Sequence, residues 1–559
     1  HDRRARSHSL VTRLGPVLLL TLQLVARSSS SYVRLPLRPV RGSNHYSRAR
    51  ARRSWHVRTR AMEALSMGGG SDYYSWPASV ASALVVVAVV SGAVRWARKR
   101  RRGTARGARL PGGSLGWPLV GETLAFISAA YSPRPESFVE KRRLLYGKVF
   151  RSHLWGSPAV VSSDAEVSRA VLQADASSFV PWYPRSLMEL MGESSILVLG
   201  GGLQRRVHGL SGAFFKSPQL KERVTAGMQR RVAEAMDEWR RRCCREDGAG
   251  AAVVVRVQDE AKSIVFEILV RALIGLEPGQ EMHYLKQQFH EFIAGLISLP
   301  IKLPGTQLYR SIKAKKRMTK LIQKIIKEKR ENMTNEAPRD MIDVLMSNGS
   351  DELTDELISD NMIDFMIPAE DSVPVLITLA VKYLSECPLA LEQLEEENME
   401  LKRRKSDVGE TLQWTDYMSL TFTQHVITET LRIGNIINGI MRKAVKDVEV
   451  KGQLLIPKGW CVFLYFRSVH LDGHIYDDPY AFNPWRWKER DIMACSSGFT
   501  PFGGGQRLCP GIDLARLEAS IFLHHLVTSF RWVAEEDTVV NFPTVRLKRG
   551  MPIKVTPKT

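Results

Sequence analysis

The chain has 559 residues, 44% of them hydrophobic, and a formal net charge of +22. Residues 1–109 hold 22 of the 80 Lys and Arg but only three of the 58 acids, a net of +19. The remainder is therefore close to neutral at +3, which excludes a long basic nucleic-acid surface. The six cysteines, at 243, 244, 387, 461, 495 and 509, show neither zinc-type spacing nor a secreted disulfide framework, and suit a reducing compartment.

Residues 1–61 contain 14 Arg, no Lys and one acid. They read either as an Arg- and Ser-rich transit peptide or as translated upstream sequence. The second is preferred, because the chain begins at His1 and its first methionines are Met62 and Met67. Tyr73 to Val94 then runs 22 residues without a charge. As a helix it would be about 33 Å long, enough to cross the hydrocarbon layer. Trp76 and Trp96 lie near its ends, and Arg95, Arg98, Lys99, Arg100, Arg101 and Arg102 follow. That pattern predicts a single-pass anchor at 73–94, with a basic stop and Pro/Gly hinge at 95–118 on the cytosolic side. Residues 119–559 then form one large cytosolic domain.

Within that domain helical periodicity dominates, as in Val224 to Arg242 and Ser311 to Asn332. Ser359 to Ser385 is apolar enough for a buried central helix. Alternation is confined to short pieces: Val448 to Leu455, Cys461 to Phe466 and Pro552 to Val555. The expected class is mainly α with small β-sheets.

The segment Phe502-Gly-Gly-Gly-Gln-Arg-Leu-Cys-Pro-Gly511 carries the chemistry. Its glycines let backbone approach a flat ligand and adopt φ > 0. Pro510 suits the first turn of a helix, which would place the Cys509 sulfur at a helix N-terminus, where negative charge is stabilised. Arg507 is placed to meet a carboxylate of the ligand. F-x-x-G-x-R-x-C-x-G resembles the cytochrome P-450 superfamily of haem-thiolate monooxygenases, over roughly residues 73–559. The resemblance implies the cytochrome P-450 fold, haem b, and Cys509 as axial ligand to iron, with Phe502, Gly505 and Arg507 around it.

Other segments match more loosely. Glu429-Thr-Leu-Arg432 places an acid and a base on one helix face. The resemblance implies a structural network completed by Arg486 in Phe482-Asn-Pro-Trp-Arg-Trp487, where Trp487 replaces the usual Phe. Over the haem the family carries A-G-x-[DE]-T-[TS]. Pro368-Ala-Glu-Asp-Ser-Val373 departs from it, followed by Pro374. Prolines here predict a kinked helix. Asp371 and Ser372 remain as an acid–alcohol pair for proton relay, unless Ser372 merely caps the broken helix. Arg442 matches a propionate ligand. The W-x-x-x-R segment is represented by Gln204-Arg-Arg-Val-His208, with His208, or else Arg205, in place of the arginine.

The predicted pocket is lined by Trp182, Met188, Phe292, Phe365, Ile436 and Ile440, and Ile297 to Gly305 forms an apolar loop suited to a membrane surface. Phe179 to Arg185, Ala213 to Lys216, Leu379 to Leu384 and Gln424 to Arg432 resemble plant steroid hydroxylases of brassinosteroid synthesis. Asp371 to Thr378 is most similar to the members that hydroxylate the side chain at C-23. That resemblance implies a 22-hydroxylated steroid substrate and an endoplasmic-reticulum membrane location. C-3 oxidation, C-22 hydroxylation, haem-thiolate isomerase or dehydratase chemistry and non-catalytic sterol binding are the alternatives. No nucleotide-binding fingerprint is present, so NADPH must act through a separate reductase. Arg206, Lys446 and Arg516 are candidate docking points for it.

Overall fold

The computed structural model describes residues 109–117, 120–245, 252–332, 337–348, 352–489, 498–542 and 544–558. The Arg-rich stretch 1–61, the apolar span 73–94 and the basic run that follows lie outside these residues. Among the described residues no single helix is long and apolar enough to cross a membrane.

Helices make up most of the fold, the longest being Pro218–Arg245, Gln307–Glu331 and Pro388–Val408. Residues 109–117, the described part of the hinge, form no helix. Gly113 pairs with Arg151, and the Arg151 amide donates to the Gly112 carbonyl at 2.8 Å, so the segment docks on the first strand.

That strand, Val149–Leu154, turns back into Ser157–Ser162 through Trp155 and Gly156. Both turn residues have positive φ, 54° and 77°, the geometry that matches the natural twist of a two-residue hairpin. The sheet continues with Cys461–Tyr465 in parallel, then Gly439–Ala444 and Phe179–Pro181 antiparallel. Cys461 is buried inside it, and burial pushes its thiol up to about 12. It is a packing residue.

Val448 to Leu455 is not one strand, as alternation suggested. It is the hairpin Val448–Val450 and Leu454–Ile456, turned at Lys451 and Gly452 with φ of 55° and 66°. Two further sheets are small: Val253–Arg256, Pro552–Pro557 and Phe530–Ala534 in one, Val539–Val540 and Arg546–Leu547 in the other.

The central helix is buried from Leu357 to Met366 and again from Val373 to Val381. It is broken in between, into Asp355–Met366, Pro368–Asp371 and Val373–Glu386. The cause is chemical. Pro374 has no N–H to return to the Glu370 carbonyl, and its ring crowds that turn. Beside it lies Ile512–Ser529, the helix that follows Cys509 and is buried along most of its length. Between these helices, the five-stranded sheet and the cysteine loop lies the site.

Candidate active site

A cavity of about 400 Å³ opens between the broken central helix and the cysteine loop. Phe502, Gly503, Gly504, Arg507, Cys509 and Leu514 form one wall, while Phe365, Pro368, Ser372 and Leu376 form the facing one. Ile436, Ile440 and Arg442 close a side.

The loop is shaped by its own sequence. Gly503 and Gly505 have φ of 77° and 65°, and the Cys509 amide donates to the Phe502 carbonyl at 3.1 Å. Gly505 is needed for packing and not for ligand approach. A Cβ there would stand 2.1 Å from the Leu172 carbonyl oxygen, and Gly505 does not line the cavity. The helix begins at Ile512, with Gly511 as its cap, so Pro510 precedes it rather than opening it. Burial pushes the Cys509 thiol up, and the Gly511 amide pulls it partly back. Alone this sulfur keeps its proton; a positive metal ion is what makes it a thiolate.

The walls pose a charge problem. Arg442 and Arg507 both line the cavity, and burial lowers the pKa of each. Arg507 donates to the carbonyls of Ile196 (3.1 Å) and Leu199, Arg442 only to its neighbour Met441. Neither has a carboxylate partner among the described residues. Buried cations are normally paired. Gln204 Nε2 adds a buried donor with no acceptor. Two unpaired guanidinium groups, an idle amide and a cysteine on an apolar wall fit a flat anionic macrocycle. Cys509 would take its iron, and Arg442, Arg507 and Gln204 its propionates.

Not every expected contact is there. His208 lines the cavity, but its Nε2 lies 2.8 Å from the Leu508 carbonyl, which ties helix Gly201–Lys216 to the cysteine loop. Gln204, at the head of the same segment, carries the idle donor. Arg205 is exposed and does not reach the cavity. Tyr183, not Trp182, lines it, because successive residues leaving the strand point to opposite sides. Trp182 packs instead beside the sheet's aromatic cluster. Phe292 is fully buried against Phe289, and Met188 does not line the cavity. Arg516 is no docking point either. It is half-buried, donates to Gln424 Oε1 and Thr428 Oγ1, and has its pKa lowered by desolvation to about 10.

Ser372 sits at the break, with φ −128° and ψ −71°, and lines the cavity. Its side chain makes no capping hydrogen bond to the helix it precedes. The capping role is thereby removed. Asp371, its neighbour in the chain, is half-buried and does not line the cavity; burial raises its pKa, while Lys262 and a hydrogen bond with Thr544 act in the opposite sense. Glu518, which sequence reasoning missed, also lines the cavity from the helix after Cys509. It is buried, its Oε1 has no partner, and burial raises its pKa to about 8. At neutral pH it holds a proton.

The sign of that shift gives a test. The unfolded carboxyl ionises near 4.5, while the folded one keeps its proton to about 8. Stability therefore falls as pH rises between those values and is flat outside them. Glu518→Gln is expected to raise Tm relative to the native chain more at about pH 8.5 than at about pH 5. Equal shifts at both would show that Glu518 is not buried as an acid.

Beyond the cavity stands a saturated network. Glu429, fully buried, accepts from Arg432 through Nε at 2.9 Å and Nη2 at 2.7 Å. It also accepts from Arg486 Nε at 3.0 Å, Trp487 Nε1 at 2.9 Å and the Asn483 amide at 3.0 Å. Arg432 in turn donates to the carbonyls of His470, Pro479 and Ala481. Trp487 is thus more than a variant of Phe, since its indole supplies a fifth bond. Trp487→Phe is expected to lower stability by about 1.5–3 kcal/mol. The reading would be a lower Tm with an unchanged haem spectrum.

Comparison with known proteins now decides the family. The cytochrome P450 profile matches residues 111–555. The chain belongs to the cytochrome P450 family. It is a monooxygenase that uses haem and receives electrons from NADPH through a reductase. It is 82% identical over 504 residues to "Cytochrome P450 90D2" of Brachypodium distachyon, covering 89% of this chain and 96% of that one. It is 57% identical over 452 residues to "3-epi-6-deoxocathasterone 23-monooxygenase CYP90D1" of Arabidopsis thaliana, covering 80% and 89%. "Retinoic acid bound cyanobacterial CYP120A1" shares the fold with a TM-score of 0.68 at 23% identity, covering 80% of this P450 and 99% of that chain. When bound, the haem supplies dioxygen binding and redox chemistry. The P450's own residues would hold it through Cys509, Arg442, Arg507 and Gln204, and Ser372 would offer a hydroxyl from the facing wall.

Proposed function

We propose that this P450 hydroxylates C-23 in the side chain of 22-hydroxylated, campesterol-derived steroids, a step of brassinosteroid synthesis. The observation that carries the reading is the likeness to two Arabidopsis proteins named as 23-monooxygenases, at 57% and 53% identity. The Arabidopsis "3beta,22alpha-dihydroxysteroid 3-dehydrogenase" is more distant at 40%. The cavity agrees in character: Phe365, Leu376, Leu431, Ile436 and Ile440 give it a largely apolar lining, as a steroid requires.

The setting belongs to the same proposal. Residues 73–94 anchor the protein in the endoplasmic reticulum membrane, with the catalytic domain, 119–559, on the cytosolic face. Ile297, Leu299, Ile301 and Leu303 are exposed between two helices, Leu299 by 74%. Such a patch suits contact with lipid, from which the substrate partitions.

The test is incubation of the full chain with reductase, NADPH and a 22-hydroxylated campesterol-type steroid, with products read by mass spectrometry and NMR. One added oxygen at C-23 is the expected result. Loss of two hydrogens at the ring alcohol would replace this reading with C-3 oxidation.

A further inference from the structure

One acid on the cavity wall has no part in holding haem. Asp364 lies in the buried stretch of helix Asp355–Met366, is 6% exposed, and lines the cavity. Ser195 Oγ donates to its Oδ2 at 2.5 Å. One turn earlier, Asn361 already fastens the same loop. Its Oδ1 accepts from the Ile196 amide at 2.9 Å, and its Nδ2 donates to the Ser194 carbonyl at 2.9 Å. Fastening the loop therefore does not require an acid at 364.

No ion pair compensates Asp364 among the described residues. The nearby Lys315 is committed to Asp360 at 3.0 Å and to the Met191 carbonyl. Burial accordingly raises the Asp364 pKa to about 7. An unpaired carboxyl on an apolar cavity is costly unless something polar meets it there.

Position identifies what that is. Asp364 and Ser372 are eight residues apart on the central helix, one in its first piece and the other at the break. Both line one cavity, with Phe365, Leu376, Ile436 and Ile440 between and around them. Arg442, Arg507 and Gln204 would be taken up by the propionates, and Tyr183 lies close to both guanidinium groups as well as to Asp364. Glu518 lies on the helix that follows Cys509, which leaves Asp364 as the acid that lines the cavity from the central helix. A rigid four-ring skeleton whose side chain reaches Ser372 carries its ring hydroxyl toward that acid.

We propose that Asp364, oriented by Ser195, receives the ring hydroxyl of the steroid and so sets which side-chain carbon reaches the reacting end. This rests on the steroid reading above. Asp364 is then a specificity-determining residue, and Ser195 a positioning one.

The experiment is a titration of the haem-loaded protein, followed by the Soret shift. The ligands are a 22-hydroxylated campesterol-type steroid with its ring hydroxyl and the 3-deoxy counterpart. The native chain is expected to bind the hydroxylated steroid on the order of tenfold to a hundredfold more tightly. Asp364→Leu, made together with Ser195→Ala so that no hydroxyl is orphaned, is expected to bind the two alike. Its product should be spread over neighbouring side-chain carbons. Equal binding by the native chain, or discrimination retained by the double variant, overturns the proposal. If that variant fails to load haem, Asp364→Asn with Ser195 intact is titrated in its place, and discrimination equal to the native chain's overturns the proposal. No shift with either steroid would instead overturn the steroid reading, and this inference with it.

Discussion

Glu429→Ala is expected to yield a protein that does not hold haem, seen as loss of the carbon monoxide difference band. The reason is the number of donors left behind. Five hydrogen bonds converge on this carboxylate, three of them from two guanidinium groups. Arg432 is fully buried, so water cannot replace what it loses. Breaking a buried ion pair from one side costs about 3–5 kcal/mol, against a total folding stability of about 5–15 kcal/mol. The damage also falls where it matters. Through Arg432 the network grips the carbonyls of His470, Pro479 and Ala481. His470 Nε2 accepts from the Thr500 amide at 3.0 Å, two residues before Phe502. Loosening Glu429 therefore loosens the approach to the cysteine loop. Glu429→Gln should fail in kind, because its NH2 would face a donor. Arg486→Ala should be milder, since Glu429 keeps Arg432. A normally haem-loaded Glu429→Ala protein would sink this account.

The parts of this site legible in the sequence are those whose chemistry fixes residues close together along the chain. The cysteine loop is one: Phe502 and Cys509 meet through a backbone hydrogen bond across a few residues. Glu429 and Arg432 are another, since i and i+3 share a helix face. The broken central helix follows from Pro368 and Pro374. What the sequence hid depends on tertiary burial. Gln204, Asp364 and Glu518 are ordinary polar residues in helical patterns; only the fold shows their carboxyl or amide groups buried at a cavity. Phe292 shows the converse. Periodicity places it on a buried face with Phe289 but not what that face meets, which is core. Arg516 resembled a surface cation because nothing local shows that its helix is enclosed.

Ser372→Ala is expected to separate electron consumption from product formation. The hydroxyl lines the cavity at the break and makes no capping bond, so its removal should disturb neither the fold nor haem binding. On the reading that this hydroxyl relays protons, its loss would take away the alcohol that delivers them into the cavity. Positioned proton donors contribute about 10²–10⁴-fold to rate. Reductase-supported NADPH oxidation should continue while steroid product falls by at least the lower end of that range. Reduced dioxygen would then leave as hydrogen peroxide, measurable beside the NADPH consumed. Ser372→Thr, which keeps the hydroxyl and supplies the residue usual at this place in the family, should keep product and NADPH in step. If Asp371 feeds protons to that alcohol, Asp371→Asn should slow turnover as well, and unchanged coupled turnover would show that it does not. If Ser372→Ala lost haem or stability as well as product, the serine would be a structural element of the kink. If it retained coupled turnover, the serine would not be on the proton's route.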